Sequence, residues 1–312
     1  MSEMIATRDA YGQTLVELGR ENPKVVVLDA DLSGSTKTGV FGKEFPERFF
    51  NAGIAEANMV GMAAGLAAGG MIPFASTFAV FAAGRAFEQI RQSLAYPKLN
   101  VKVVATHAGI TVGEDGGSHQ AVEDLAIMRA LPNMTVLCPA DGPETSAAIR
   151  AAAAFQGPVY IRLGRSKVPV VFPQDCQFTI GRGATLRQGS DISFVTTGLM
   201  TAMALTAAQI LEAGGVSARV IHLGTIKPLD AELVLRAARE TGAIVTAEEH
   251  SIVGGLGGAV AEFLAENGPV PLKRVGVNDR FGTSGKAEEL LKYFGLMPAD
   301  LVEAAREIVK RK

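Results

Sequence analysis

The chain has little cysteine: two residues in 312, Cys138 and Cys176, which follow no paired spacing. A disulfide scaffold and a cysteine-based metal site are thereby excluded, and both thiols are expected to be buried and reduced, as in a cytoplasmic protein. An excess of one charge is also lacking. With 30 Lys and Arg against 32 Asp and Glu, no broad basic field recruits nucleic acid or an anionic membrane. An anionic ligand would have to be gripped by a few local groups. Long unbroken apolar runs are missing too: in MVGMAAGLAAGGMIPFASTFAVFAAG, glycines, Pro73 and the Ser76–Thr77 pair impose a helix, a strand and a second helix. The start, MSEMIATRDAYGQ, lacks the basic and apolar regions of a signal peptide. No solenoid repeat, low-complexity tract, phosphate-cradling G-x-x-x-x-G-K-[ST] or nucleophile elbow occurs. The run GGLGGAV fails as a dinucleotide fingerprint because Val260 stands where its third glycine belongs. It reads instead as the small-residue start of a helix in contact with another element.

What is present is a globular balance, 48% hydrophobic and 20% charged, in a length that favours two cores. Apolar, β-branched runs alternate with amphipathic stretches. VVVLDAD, MIPFAS, VKVVAT, MTVLCPA and PVYIRL read as strands of a parallel sheet covered on both faces. DAYGQTLVELGREN, IAEANMVGMAAGLAA, FAVFAAGRAFEQIRQSLA, AVEDLAIMRAL and a segment from Pro143 read as the intervening helices. The spacing predicts an α/β chain of two domains, each a mainly parallel sheet flanked by helices: residues 1–165, a linker over 166–187, and 188–312. The second series runs through the strands DISFVTTG, SARVIHL, GAIVTAEE and PLKRVGV. The glycine and alanine content of the first-domain helices suggests close packing at the centre of an assembly.

Three carboxylates and one loop stand out as chemistry. Asp29 and Asp31 lie at the exit of VVVLDAD. Glu56 opens an otherwise apolar helix, where it either complements the helix dipole or sits desolvated with a raised pKa and shares a proton with a ligand nitrogen. Two of the four histidines, His107 and His119, bracket the glycine-rich acidic loop THAGITVGEDGGSHQ. Their spacing fits no compact metal motif. They either satisfy backbone groups at a strand end or present imidazole and carboxylate to substrate hydroxyls, with glycines allowing close approach.

Taken in order, DADLSGS (Asp29–Ser35), NAGIAEANMVGMAAGLAAGG (Asn51–Gly70), PFASTFAVF (Pro73–Phe81) and THAGITVGEDGGSHQAVEDLA (Thr106–Ala126) resemble the C-terminal portion of transketolase. The resemblance covers nearly the whole chain and implies a thiamine diphosphate pyrimidine-binding domain followed by the transketolase C-terminal domain. It implies transfer of a two-carbon ketol unit from a ketose phosphate to an aldose phosphate. It further implies that Glu56 bonds the cofactor's N1′ nitrogen, that Phe78 stacks on the pyrimidine with Phe81 beside it, and that Asp31 and Leu32 line the thiazolium side. His107 and His119 would contact the sugar's reacting hydroxyls, Asp115 the acceptor's hydroxyl, and Arg8, Ser35 and Arg165 the sugar phosphate. Read without the resemblance, the two phenylalanines would be helix core at i and i+3.

Two departures from the family pattern matter. Gly84 replaces a tyrosine that often follows the phenylalanine pair. The chain also has no G-D-G followed some thirty residues later by Asn, the family's grip on the diphosphate and its Mg²⁺ or Ca²⁺. The expectation is therefore a C-terminal subunit of a split transketolase, active only with an N-terminal subunit that holds diphosphate and metal, as an α₂β₂ assembly. The alternatives are the β subunit of a 2-oxo acid dehydrogenase, which would not need the Arg8–Ser35–Arg165 set, the one-chain relative 1-deoxyxylulose 5-phosphate synthase, which the loop fits less well, and a non-catalytic subunit on the same scaffold.

Overall fold

A computed structural model describes residues 3–312. Fourteen strands occur among these residues: β1 (Met4–Ala6), β2 (Val25–Asp29), β3 (Phe49–Asn51), β4 (Ile72–Phe78), β5 (Lys102–Thr106), β6 (Thr135–Leu137), β7 (Val159–Arg162), β8 (Lys167–Pro169), β9 (Ala184–Arg187), β10 (Ile192–Thr196), β11 (Ala218–His222), β12 (Thr225–Lys227), β13 (Ile244–Ser251) and β14 (Leu272–Val277). Twelve of them form two α/β layers, as the alternating pattern predicts, and β1 pairs with β8 in a separate two-stranded sheet. The first sheet has the order β12-β6-β7-β5-β4-β2-β3 and is parallel apart from its β12 edge. The second has the order β14-β13-β10-β11-β9, with β9 antiparallel.

The central strands are buried along their whole length because helices cover both faces. From β2 the chain crosses to β3 on one side, then returns to β4 on the other. The carboxyl ends of β2 and β4 therefore flank a topological switch point, where an open α/β sheet leaves a crevice. Asp29, Phe78 and, on the next strand, Thr106 stand at these ends.

One expected element is corrected, and two other stretches carry short edge strands. The segment 78–95 is not one helix. The β-run extends to Phe78, and the following turns, Phe81–Arg85 and Ile90–Ala95, are wound as π-helix around a short α-turn. The 166–187 stretch has no helix but carries β8, which pairs with β1, and β9, which joins the second sheet. Segment 225–227, within the second domain's stretch of sequence, adds β12 to the first sheet. All three strands lie at edges and are three or four residues long, too short for an alternation signal. Cys138 is buried as expected, whereas Cys176 is only half-buried; both are free. Among the described residues no helix is long and apolar enough to cross a membrane.

A buried charge cluster joins the two layers. Arg162, at the end of β7, donates through Nε to both oxygens of Asp124, at 3.1 and 3.0 Å. Its Nη2 donates to the Glu249 carbonyl of β13 at 2.7 Å. The Tyr160 hydroxyl donates to Asp124 at 2.9 Å. Burial opposes the guanidinium charge, yet Asp124 beside it holds Arg162 above its usual range. An ion pair this deep adds little net stability, but removing one partner strands the other. Asp124→Ala is expected to cost about 3–5 kcal/mol, read as a lowered urea midpoint at unchanged slope.

Candidate active site

The switch-point crevice is built from three loops and one helix start. The loop after β2 is tied down by Asp29. Its buried carboxylate accepts from Leu32 N at 2.6 Å, Thr36 Oγ1 at 2.7 Å and Thr38 Oγ1 at 2.8 Å. Burial raises the Asp29 pKa, and those three hydrogen bonds oppose the rise. Asp31 is exposed at φ 64°, held by Asn51, whose Nδ2 donates to Oδ1 at 3.1 Å. Leu32 and Ser35 are half-buried in the same loop.

Glu56 begins the helix Glu56–Ala68 and is 1% exposed. The expected wholly apolar setting does not hold. Arg85 Nη1 donates to both Glu56 carboxylate oxygens at 2.8 Å. The same guanidinium lies 4.7 Å from the centroid of Phe81. Phe78 is 6% exposed and packs face to face with the His107 ring at 3.8 Å. Phe81, half-buried at the crevice rim, is the more accessible platform of the two.

The loop 107–120 closes the other side. His107 is 2% exposed at φ 56°. Arg8 Nη1 stands 3.4 Å from its Nε2, and Thr106 Oγ1 lies 3.0 Å from its Nδ1. A guanidinium can only donate, so Nε2 accepts and Nδ1 carries the proton. Burial first, then the charges of Arg8 and Arg165, push the His107 pKa down to about 3. It is a neutral acceptor at physiological pH. His119 sets its ring edge-on to Phe78 and Phe81, at 6.4 and 5.6 Å, with Nδ1 3.0 Å from Ser118 Oγ.

Arg8 also donates to the Ser35 carbonyl at 2.9 Å, while its buried Nε lacks a partner. Burial lowers the Arg8 pKa; Asp9 opposes this and Arg165 adds to it. Arg165 donates to the Val112 carbonyl and stands 3.9 Å from the exposed carboxylates of Glu114 and Asp115. The fold thus brings Arg8, Ser35 and His107 into direct contact and sets Phe78, Phe81 and His119 around one aromatic corner. Asp115 meets the set through Arg165, and Asp31 and Leu32 reach it through their loop. Among the described residues no group of three or more His, Cys, Asp or Glu could hold a metal ion.

Sequence reasoning missed Arg85 and Glu249. Arg85 carried no signal beyond its place one residue past Gly84. Glu249 Oε1 accepts from Thr111 N at 2.6 Å, anchoring the loop from the second domain. Gly109, at φ +79°, lies against this carboxylate, where an added Cβ would come within 2.3 Å of Cδ. GGLGGAV behaves as expected: the helix Leu256–Asn267 starts there, with Leu256 N and Gly257 N donating to buried Glu248 at 2.7 and 2.8 Å.

A crevice that pairs a buried carboxylate with an aromatic platform at the switch point of one α/β domain, backed by a second α/β domain, defines the class. Comparison with known proteins agrees. The transketolase pyrimidine-binding domain family matches residues 3–171, and the transketolase C-terminal domain family matches residues 181–301. The chain belongs to the transketolase family and carries these two domains as a C-terminal section. It is 54% identical to a protein named as a transketolase C-terminal section from Methanocaldococcus jannaschii, over 98% of this chain and 96% of that protein. It is 46% identical to a 6-deoxy-6-sulfo-D-fructose transketolase subunit from Clostridium sp. (strain MSTE9), over 98% of this chain and 95% of the subunit. A solved inactive β4 tetramer of a split-gene transketolase superposes with a TM-score of 0.92 at 60% identity, covering 98% of this chain and 99% of that one. Against human transketolase the identity is 38% over all of this chain but 50% of that protein.

Two outcomes follow from this geometry. Gly109→Ala is expected to destabilise the chain by about 2 kcal/mol or more, because the methyl meets Glu249 and the backbone is strained. Gly34→Ala, with open space around it, is expected to change stability by under about 0.5 kcal/mol in the same denaturant titration. The ring-proton NMR shifts of His107 are expected to stay constant from pH 8 to pH 5. Its folded pKa is depressed below the unfolded value, so the unfolded chain takes up the proton first. Stability should fall as pH drops from 6.5 toward 3, and His107→Gln should flatten that slope.

Proposed function

We propose that this chain supplies the pyrimidine side of a thiamine diphosphate site and the sugar-binding loop of a two-subunit transketolase. The observation that carries the reading is Glu56: a carboxylate 1% exposed, at a helix start, beside a half-open aromatic ring. A buried acid with one charged partner and an adjacent flat apolar face fits an aminopyrimidine better than it fits a core position. When bound, the cofactor supplies an acidic thiazolium C–H and an amino group able to relay its proton. Glu56 holds or releases a proton at its carboxylate oxygen, away from bulk water. Phe81 offers the stacking face, with Phe78 behind it fixing His107. Asp29 keeps Asp31 and Leu32 at the crevice on the thiazolium side.

On the sugar side, neutral His107 orients hydroxyls as an acceptor, and His119 and Asp115 add polar contacts from the same loop. The phosphate falls to Arg8, Ser35 and Arg165. The partnerless Arg8 Nε and the mutual repulsion of Arg8 and Arg165 support this assignment, because an anion would relieve both. The donor is a ketose with a terminal anion and the acceptor an aldose phosphate. Relatives named for 6-deoxy-6-sulfo-D-fructose and for apulose 4-phosphate support a range that includes sulfonated and phosphorylated sugars.

The diphosphate and its Mg²⁺ belong to an N-terminal transketolase subunit, in an α₂β₂ assembly that holds the site between chains. Ile54 and Phe281, large apolar side chains 77% and 86% exposed, support that division. With the partner subunit, thiamine diphosphate and Mg²⁺ present, ketol transfer between pentose phosphates is expected. Glu56→Gln should lower kcat by about 100-fold or more while leaving the assembly intact by sedimentation. Unchanged turnover would remove Glu56 from the mechanism.

A further inference from the structure

We propose that Arg85 is a built-in placeholder for the cofactor ring, held on Glu56 and Phe81 until that ring arrives and then swinging out to solvent. The inference rests on the assignment of Glu56 and Phe81 to the pyrimidine, and adds a residue that the assignment does not use.

The guanidinium makes both contacts that a nitrogen heterocycle would need there. Its Nη1 donates to both oxygens of Glu56 at 2.8 Å, and its Cζ lies 4.7 Å from the Phe81 centroid. A flat, delocalised, nitrogen-bearing group that bonds a carboxylate while lying against an aromatic ring reproduces the recognition of an aminopyrimidine. The carboxylate and the ring face cannot serve both partners at once, so entry of one requires exit of the other.

The burial of the pair is lopsided, and that sets which partner moves. The Glu56 side chain is 1% exposed, whereas that of Arg85 is 50% exposed. Glu56 cannot leave its pocket, while Arg85 can turn outward without unpacking the core. Local backbone favours the same motion. Ala86 N donates to Phe81 O at 3.1 Å, closing a widened π-turn of the kind that recurs at functional sites. Gly84 beside it has nothing within 4 Å of where a Cβ would sit, so Arg85 pivots next to open space.

Such an arrangement has a clear physical use. A carboxylate buried without a counter-charge is costly, and its pocket would tend to rearrange. Arg85 supplies that counter-charge and keeps the pocket shaped before loading. The cost appears in binding: apparent affinity for the cofactor falls by the fraction of molecules in which Arg85 has left.

The test uses the chain assembled with its N-terminal subunit, Mg²⁺ present, titrated with thiamine diphosphate by calorimetry. Arg85→Met keeps length and apolar contact but removes the charge. It is expected to bind thiamine diphosphate about five-fold tighter than wild type. The cofactor-free assembly should melt about 2–4 °C lower, with the loaded assembly unchanged. Arg85→Lys should fall between the two. Weaker binding by Arg85→Met, or an equal fall in melting temperature with and without cofactor, overturns the placeholder and makes Arg85 a holding or ordinary packing residue. Glu56→Gln separates this from the underlying reading. If Glu56→Gln loses turnover while Arg85→Met fails to tighten binding, only the placeholder is wrong. If wild type takes up no thiamine diphosphate, or Glu56→Gln turns over normally, both fall.

Discussion

The geometry of the crevice depends on one buried guanidinium. Arg162 is neutralised by Asp124 within the first domain and donates to the main chain of Glu249 in the second. It thereby fixes where the second layer sits on the first. Glu249 in turn holds Thr111 in the loop between the two histidines. Gln120 adds a parallel tie, donating to Ile110, Gly113 and Thr283 carbonyls at 3.1, 3.2 and 2.9 Å. The glycine-rich loop is therefore not a free arm. Glycine gives its backbone unusual angles and close approach, and the second domain then holds those angles in place.

This explains why imidazoles and carboxylates can share a loop without collapsing on one another. The two ends of the loop live in different electrostatic settings. His107 is buried beside two guanidiniums and kept neutral, while Glu114 and Asp115 stay exposed and face Arg165. Burial decides the protonation of the first, and solvent screening leaves the second pair available to move. Positive charge from Arg8 and Arg165 is thus local, in a chain that is nearly neutral overall.

Much of this was legible in the sequence. The core strands read correctly because a parallel sheet covered on both faces needs continuous apolar runs such as VKVVAT and PVYIRL. The candidate site residues stood out because acids, histidines and glycines at strand exits have few structural uses. What stayed hidden depends on distance in the chain. Arg85 lies 29 positions from Glu56, and Glu249 lies 138 from Thr111. No local pattern announces either pairing. Phe78 was placed in a helix because its neighbours are good helix formers, whereas sheet pairing with Thr106 extends the strand to include it. The wide π-turns were equally invisible, since their apolar spacing imitates an ordinary helix.

The strand that the C-terminal half lends to the first sheet carries a consequence for how this polypeptide can be divided. β12 closes an edge that β6 would otherwise present with its hydrogen-bonding groups bare. It is itself three residues long, is followed by Pro228, and ends in Lys227, whose ammonium caps the Arg129 and Leu131 carbonyls at 2.9 and 2.5 Å. Separating the halves would uncover a self-adhesive border and release a charged clasp at the same time. The seam between these domains is thus a poor place for a proteolytic nick, a gene fission or a domain exchange, and shuffled enzymes should inherit the pair whole.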